Sequence, residues 1–184
     1  MEPYSAIRSG SFEDFKTSLD ENPDFDWKHF FLRAFRNQDL TGRVEIVNWM
    51  LDHGADPAHV KRGEGINALH VLFTQREHDF VGEARLLQRL LDGGADINLK
   101  APKWSVPIQT IIDEMIASDD EVAPFYDVIF SYPGIDWEVI VRKAFGEPAS
   151  LERSVELAAK RRPELYRRMR NYMENGPSPR PVFD

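Results

Sequence analysis

Apolar residues recur at helical spacing along most of the chain, and the stretches between them are short and rich in Gly, Pro and Asp. Ala6, Ile7, Phe12, Phe15 and Leu19 predict a short helix pair, interrupted at Ser9-Gly10-Ser11 and stopped at Asn22-Pro23. Trp27, Phe30, Phe31, Ala34 and Phe35 form one helical stripe, which the spacing assigns to core in preference to an aromatic cage. Arg43–Asp52 is the next helix. Its apolar residues Val44, Ile46, Val47, Met50 and Leu51 are continuous enough for burial on two sides, and Gly54 ends it in the left-handed position. Further helices are expected over Val81–Leu91, from Pro107 through Ile116, over Phe125–Phe130, over Trp137–Phe145, and over Ser150–Met173 with a break near Arg162 caused by Pro163. Asn175–Asp184 has nothing to bury and reads as a mobile, Pro-rich tail in preference to a polyproline ligand.

The pattern also repeats. Val-Glu-Ile-Val-Asn-Trp-Met-Leu-Asp-His-Gly-Ala-Asp at 44–56 returns as Glu-Ala-Arg-Leu-Leu-Gln-Arg-Leu-Leu-Asp-Gly-Gly-Ala-Asp at 83–96. Between the copies stands Gly65-Ile66-Asn67-Ala68-Leu69-His70, and this order of segments resembles the ankyrin repeat. The resemblance implies an all-α ankyrin-repeat solenoid of paired antiparallel helices joined by projecting turns. It divides the chain into repeats at about 1–26, 27–60, 61–100 and 101–138, a C-terminal helical cap at 139–174 and the tail at 175–184. Asp56 to Asp96 spans 40 residues, against about 33 in the ordinary unit. The extra residues fall at Arg76–Val81 and Met115–Asp120, and are expected on one edge of the solenoid. Asn67 takes the family's Thr position and can cap the following helix. His70 takes the family's His position, which implies a hydrogen bond to the neighbouring turn. Gln109 replaces that His one repeat later, so the corresponding bond should weaken. Leu69, Leu86, Leu87, Leu90, Ile108, Ile111, Ile129 and Phe130 are expected between adjacent repeats.

Composition narrows the function. A chain of 184 residues with 42% hydrophobic and 29% charged residues is expected to fold as one domain. It has no cysteine for disulfides or thiolate-bound zinc. No apolar run approaches a membrane span, and Met1–Gly10 carries no signal-peptide core, so the cytoplasm is the default expectation. The formal charge of −8 argues against nucleic acid and favours a basic protein partner. Residues 1–150 hold 15 Lys/Arg against 26 Asp/Glu, a net of −11, with +3 behind them.

Chemistry-bearing motifs are missing from the sequence. It contains no nucleophile elbow, phosphate-binding glycine loop or dinucleotide fingerprint, and His53, His59, His70 and His78 lack zinc spacing. Asp113-Glu114 and Asp119-Asp120-Glu121 read as solvated helix surface, the latter as the exposed start of a helix. No catalysis, cofactor or metal is expected. The resemblance implies instead a protein-binding module, a monomer when unbound. Its family's variable positions fall on Gly63, Glu64 and Ile66, on Lys103, Trp104 and Ser105, and on Thr74, Gln75, Asp113 and Glu114. Trp104 is either the anchor of that surface or packed across the neighbouring turn. A stand-alone acidic inhibitor, as an immunity protein is to a basic toxin, is the favoured role. The alternatives are a general intracellular scaffold and, more remotely, an enzyme with a carboxylate site in the long loops.

Overall fold

The computed structural model describes residues 1–141 and 147–183. Ten α-helices appear among them: α1 Pro3–Ser9, α2 Phe12–Glu21, α3 Phe31–Ala34, α4 Leu40–Asp52, α5 Ala68–Phe73, α6 Phe80–Asp92, α7 Pro107–Asp113, α8 Ala123–Ile129, α9 Leu151–Ala158 and α10 Pro163–Asn175. The fold is all-α, with one antiparallel pairing of two-residue strands among the described residues, β1 (Ile140–Val141) with β2 (Ala149–Ser150).

The helices form two rows. In the outer row α2, α4, α6, α8 and α10 each pack on the next; in the inner row α1 meets α3, and α5, α7 and α9 follow one another. The core lies between the rows, and Leu69, Leu86, Leu87, Leu90, Ile108, Ile111, Ile129 and Phe130 are all buried there. Ile46, Val47 and Met50 on α4 are fully enclosed, because α4 has α2 on one side and α6 on the other.

Turn chemistry explains the register. Gly54, Gly94 and Gly134 adopt φ of 89°, 95° and 83°, the left-handed region that a side chain would strain. Two residues later Asp56, Asp96 and Asp136 each accept a backbone N–H two positions on, at 2.9, 2.8 and 3.0 Å. The geometric period is therefore 40 residues, and it extends to the Pro133–Asp136 turn. Asp39 and Asp79 repeat it at the other end of the outer helices, capping α4 and α6 through the amides of Gly42 and Gly82 at 2.9 and 3.1 Å.

Several segments differ from their sequence reading. The aromatic stripe is a 3-10 turn, Trp27–Phe30, followed by the four-residue α3. Rings hold it in that shape: Phe25 stacks on Phe30 and Trp27 meets Trp49, both with centroids 5.1 Å apart. Trp137–Val141 is not helical but runs through a turn into β1; the remainder of that expected helix, through Phe145, lies outside the described residues. Asp119 is buried, not exposed, because its carboxylate serves the Tyr126 hydroxyl at 2.7 Å and the backbone amides of Glu164 and Leu165 at the start of α10. The C-terminal tail is docked. The Ser178 amide donates to the Phe130 carbonyl at 3.0 Å, Arg180 pairs with Asp92 at 2.7 Å, and Arg180 lies 4.6 Å over the Tyr132 ring.

Candidate binding face

The inner row is interrupted between α3 and α5. Since α3 is a single turn, it does not lie along α5 as α5 lies along α7. A cavity of about 700 Å³ opens there. Lys28, His29, Arg33 and Arg36 stand on one wall, and His59, Lys61 and Arg62 on the other. Phe30, Leu32, Val60, Ile66 and Val71 supply its apolar lining, and Tyr4 of α1 also borders it. The second wall is the arm leading into α5. The Lys61 amide donates to the Ile66 carbonyl at 2.8 Å and the Gly65 amide to the Lys61 carbonyl at 2.9 Å, which folds 61–66 into a tight turn. Gly63 and Gly65 make it possible with φ of 80° and 67°. The next arm closes similarly, with Ala101 and Ser105 exchanging backbone bonds of 2.7 and 2.9 Å.

The lining contains five Lys/Arg and two His but no Asp or Glu. Arg33 is held against Tyr4, whose hydroxyl accepts from its guanidinium and whose ring lies 5.2 Å from it. Lys61 pairs with Glu64 at 2.5 Å. That hydrogen bond holds the Glu64 carboxyl below its ordinary range, helped by the fields of Lys61, Arg36 and Lys103. For Lys28, Arg33, Arg36 and Arg62, no carboxylate lies within ion-pairing distance among the described residues.

Buried hydrogen bonds hold the arms in place. His70 Nε2 lies 3.0 Å from the Ser105 carbonyl, so the inter-turn bond expected of it is present. The Asn67 side chain accepts from the His70 amide at 3.3 Å and donates to the Asp96 carbonyl at 2.8 Å. Gln109 turns back to Asp113 of its own helix, at 2.9 Å, and its bond does not link arms.

The residues expected at the partner surface separate into three groups. Glu64, Lys103, Asp113 and Glu114 are exposed. Thr74 and Gln75 are half-buried and close α5 by donating to the Val71 carbonyl at 2.9 and 2.6 Å. Trp104 is half-buried against the core. Ile66 and Ser105 are buried and do not offer a side chain to a partner from the surface: Ile66 lines the cavity, and Ser105 takes φ of 59° to present its carbonyl to His70. The residues that sequence reasoning missed are Lys28, His29, Arg33 and Arg36. A local run of base in an acidic chain was the available signal.

Among the described residues no three His, Cys, Asp or Glu gather as a metal site, and no helix is long and apolar enough to cross a membrane. No protein-family model and no curated protein matches the chain. A solved structure similar to it is that of a functionally unknown protein from Leptotrichia buccalis C-1013-b, with 21% identity, coverage of 94% of this chain and 93% of that one, and a TM-score of 0.74. At that identity the likeness shows the fold alone.

Proposed function

We propose that the chain is a non-catalytic protein-binding module of the ankyrin-like solenoid kind, presenting its inner row and projecting arms to a partner. One observation carries this reading: left-handed glycine turns recur every 40 residues between stacked helix pairs, so the arms project in series from a rigid core. A surface fixed in advance loses little conformational entropy on binding. A second reading, neutralisation of a basic partner in the manner of an immunity protein, is favoured by the acids exposed on the outer row, among them Glu13, Asp20, Glu45 and Asp127.

Lysine-directed crosslinking to a partner captured from the native host tests the module. Crosslinks should concentrate on Lys61 and Lys103 at the arms. If they fall on Lys16 of α2 alone, the inner row is not the binding face and the reading fails.

A further inference from the structure

We infer that the cavity between α3 and α5 receives an acidic, extended peptide segment of a partner protein, with carboxylates set against Arg36 and Arg62 and apolar side chains laid on Phe30, Leu32 and Val60. This rests on the module reading and assigns its binding site and the sign of the segment recognised.

The argument is one of charge placed against the trend of the molecule. The chain carries −8 overall, yet the lining of this one cavity holds seven basic-type side chains and no acid. Like charges gathered at a cleft repel one another and weaken the fold, while the low-dielectric walls focus their field outward. Arg36 and Arg62 are exposed and come to the cavity from separate segments of the chain, one after α3 and the other in the arm before α5. A guanidinium offers paired donors that match a carboxylate, so the two can grip successive acids of a chain passing between them. Arg33 adds a third guanidinium, which donates to the Tyr4 hydroxyl and lies 5.2 Å from its ring. The apolar lining distinguishes the occupant from a simple polyanion. Nucleic acid is disfavoured because residues 1–150, which build the cavity, carry a net −11 and would repel a long phosphate backbone. The volume of about 700 Å³ is room for a few side chains and no more, so a short segment and not a folded domain enters it.

The test is fluorescence anisotropy with a labelled peptide of alternating Glu and Leu, compared with its Lys–Leu counterpart and with a single-stranded oligonucleotide. The acidic peptide should bind at least about tenfold more tightly than either, and the affinity should fall as ionic strength rises from about 0.05 M to about 0.5 M. The double variant Arg36→Glu/Arg62→Glu should lose at least about tenfold, whereas Arg76→Glu/Lys160→Glu, with the same change in net charge away from the cavity, should bind as the wild type does. Thermal melts of both variants confirm folding, and Arg36→Gln/Arg62→Gln gives the same reading without added repulsion. Equal binding of the Glu and Lys peptides, tighter binding of the oligonucleotide, or indifference to both cavity variants overturns the assignment. The module reading is decided separately by the crosslinks, which require no acidic segment.

Discussion

Arg43 and Glu83, one structural period apart, face each other at 2.6 Å with side chains only 4% and 0% exposed. The pair joins α4 to α6 inside the outer row. Both side chains make further bonds: Arg43 donates to the Asn37 carbonyl at 3.0 and 2.8 Å and to the Glu77 carbonyl at 2.9 Å, while Glu83 meets His78 Nδ1 at 2.5 Å. Asn37 continues the chain of contacts to the carbonyls of Ala6 and Gly10 at 3.3 and 3.0 Å. Three successive helix pairs are thereby tied through one buried polar cluster.

Removing either partner strands a charge in that cluster. Arg43→Ala or Glu83→Ala should each cost about 3–5 kcal/mol in urea unfolding, whereas Arg43→Met/Glu83→Leu should cost much less than the sum of the two. Strictly additive losses would mean that the ion pair does not act as a unit.

Leu90 packs with no exposure in the last turn of α6. Leu90→Ala is expected to lose about 2–5 kcal/mol, and a loss under about 0.5 kcal/mol would contradict the packing of the outer row.

His70 gives the fold a pH dependence with a defined sign. Burial lowers its pKa below the ordinary 6.5, although the Ser105 carbonyl and Asp96 act the other way. The unfolded ring therefore takes up a proton at a higher pH than the folded one. The stabilisation is present in full above 6.5 and is lost as pH falls through that value toward the folded pKa. Urea midpoints of wild type and His70→Gln should be separated most at neutral pH and converge on acidification. A separation that widens in acid would reverse the sign argued here.

Local chemistry was legible from sequence, and long-range use of local residues was not. Gly54, Asp56, Asn67 and His70 act on neighbours within a few residues or on the next copy of the same turn, so their spacing disclosed them. Asp119 looked like surface because its partners Arg162, Glu164 and Leu165 lie more than forty positions away. β1 was read as helix because two residues cannot display an alternating period, and their pairing with Ala149 and Ser150 is a tertiary event. The basic cavity was hidden by averaging: its walls come from two segments about thirty residues apart, and net charge sums them with the acids of the outer row.

The docked tail should respond to truncation. Its Arg180–Asp92 pair is about half exposed on both sides and is worth no more than about 1 kcal/mol. Removing the residues after Asn175 should lower the melting temperature by a few degrees only, while exposing Tyr132 and Phe130 to solvent. Hydrogen exchange provides the check, because the Ser178 amide bonded to Phe130 should be protected in the full chain. Free exchange at Ser178 would return the segment to a mobile tail.

Trp104 lies between exposed Lys103 and buried Ser105, with its indole half in water, and its carbonyl accepts from the Thr110 hydroxyl at 3.4 Å. Such a ring can steady the arm and still offer a face to a partner. Because only part of the indole is enclosed, Trp104→Ala should cost less stability than the about 3–5 kcal/mol of a fully buried tryptophan. If the exposed face anchors a partner, the same change should weaken binding by at least about 2 kcal/mol per folded molecule. Calorimetry with a captured partner, corrected for the folded fraction from urea curves, separates the two effects. A variant that is destabilised but binds normally once folded would confine Trp104 to the packing of its arm. Reversing Glu114, which is exposed, should instead change the association rate and its salt dependence while leaving the urea midpoint in place, whereas reversing Asp113 also takes away the acceptor of the buried Gln109 amide and should lower that midpoint.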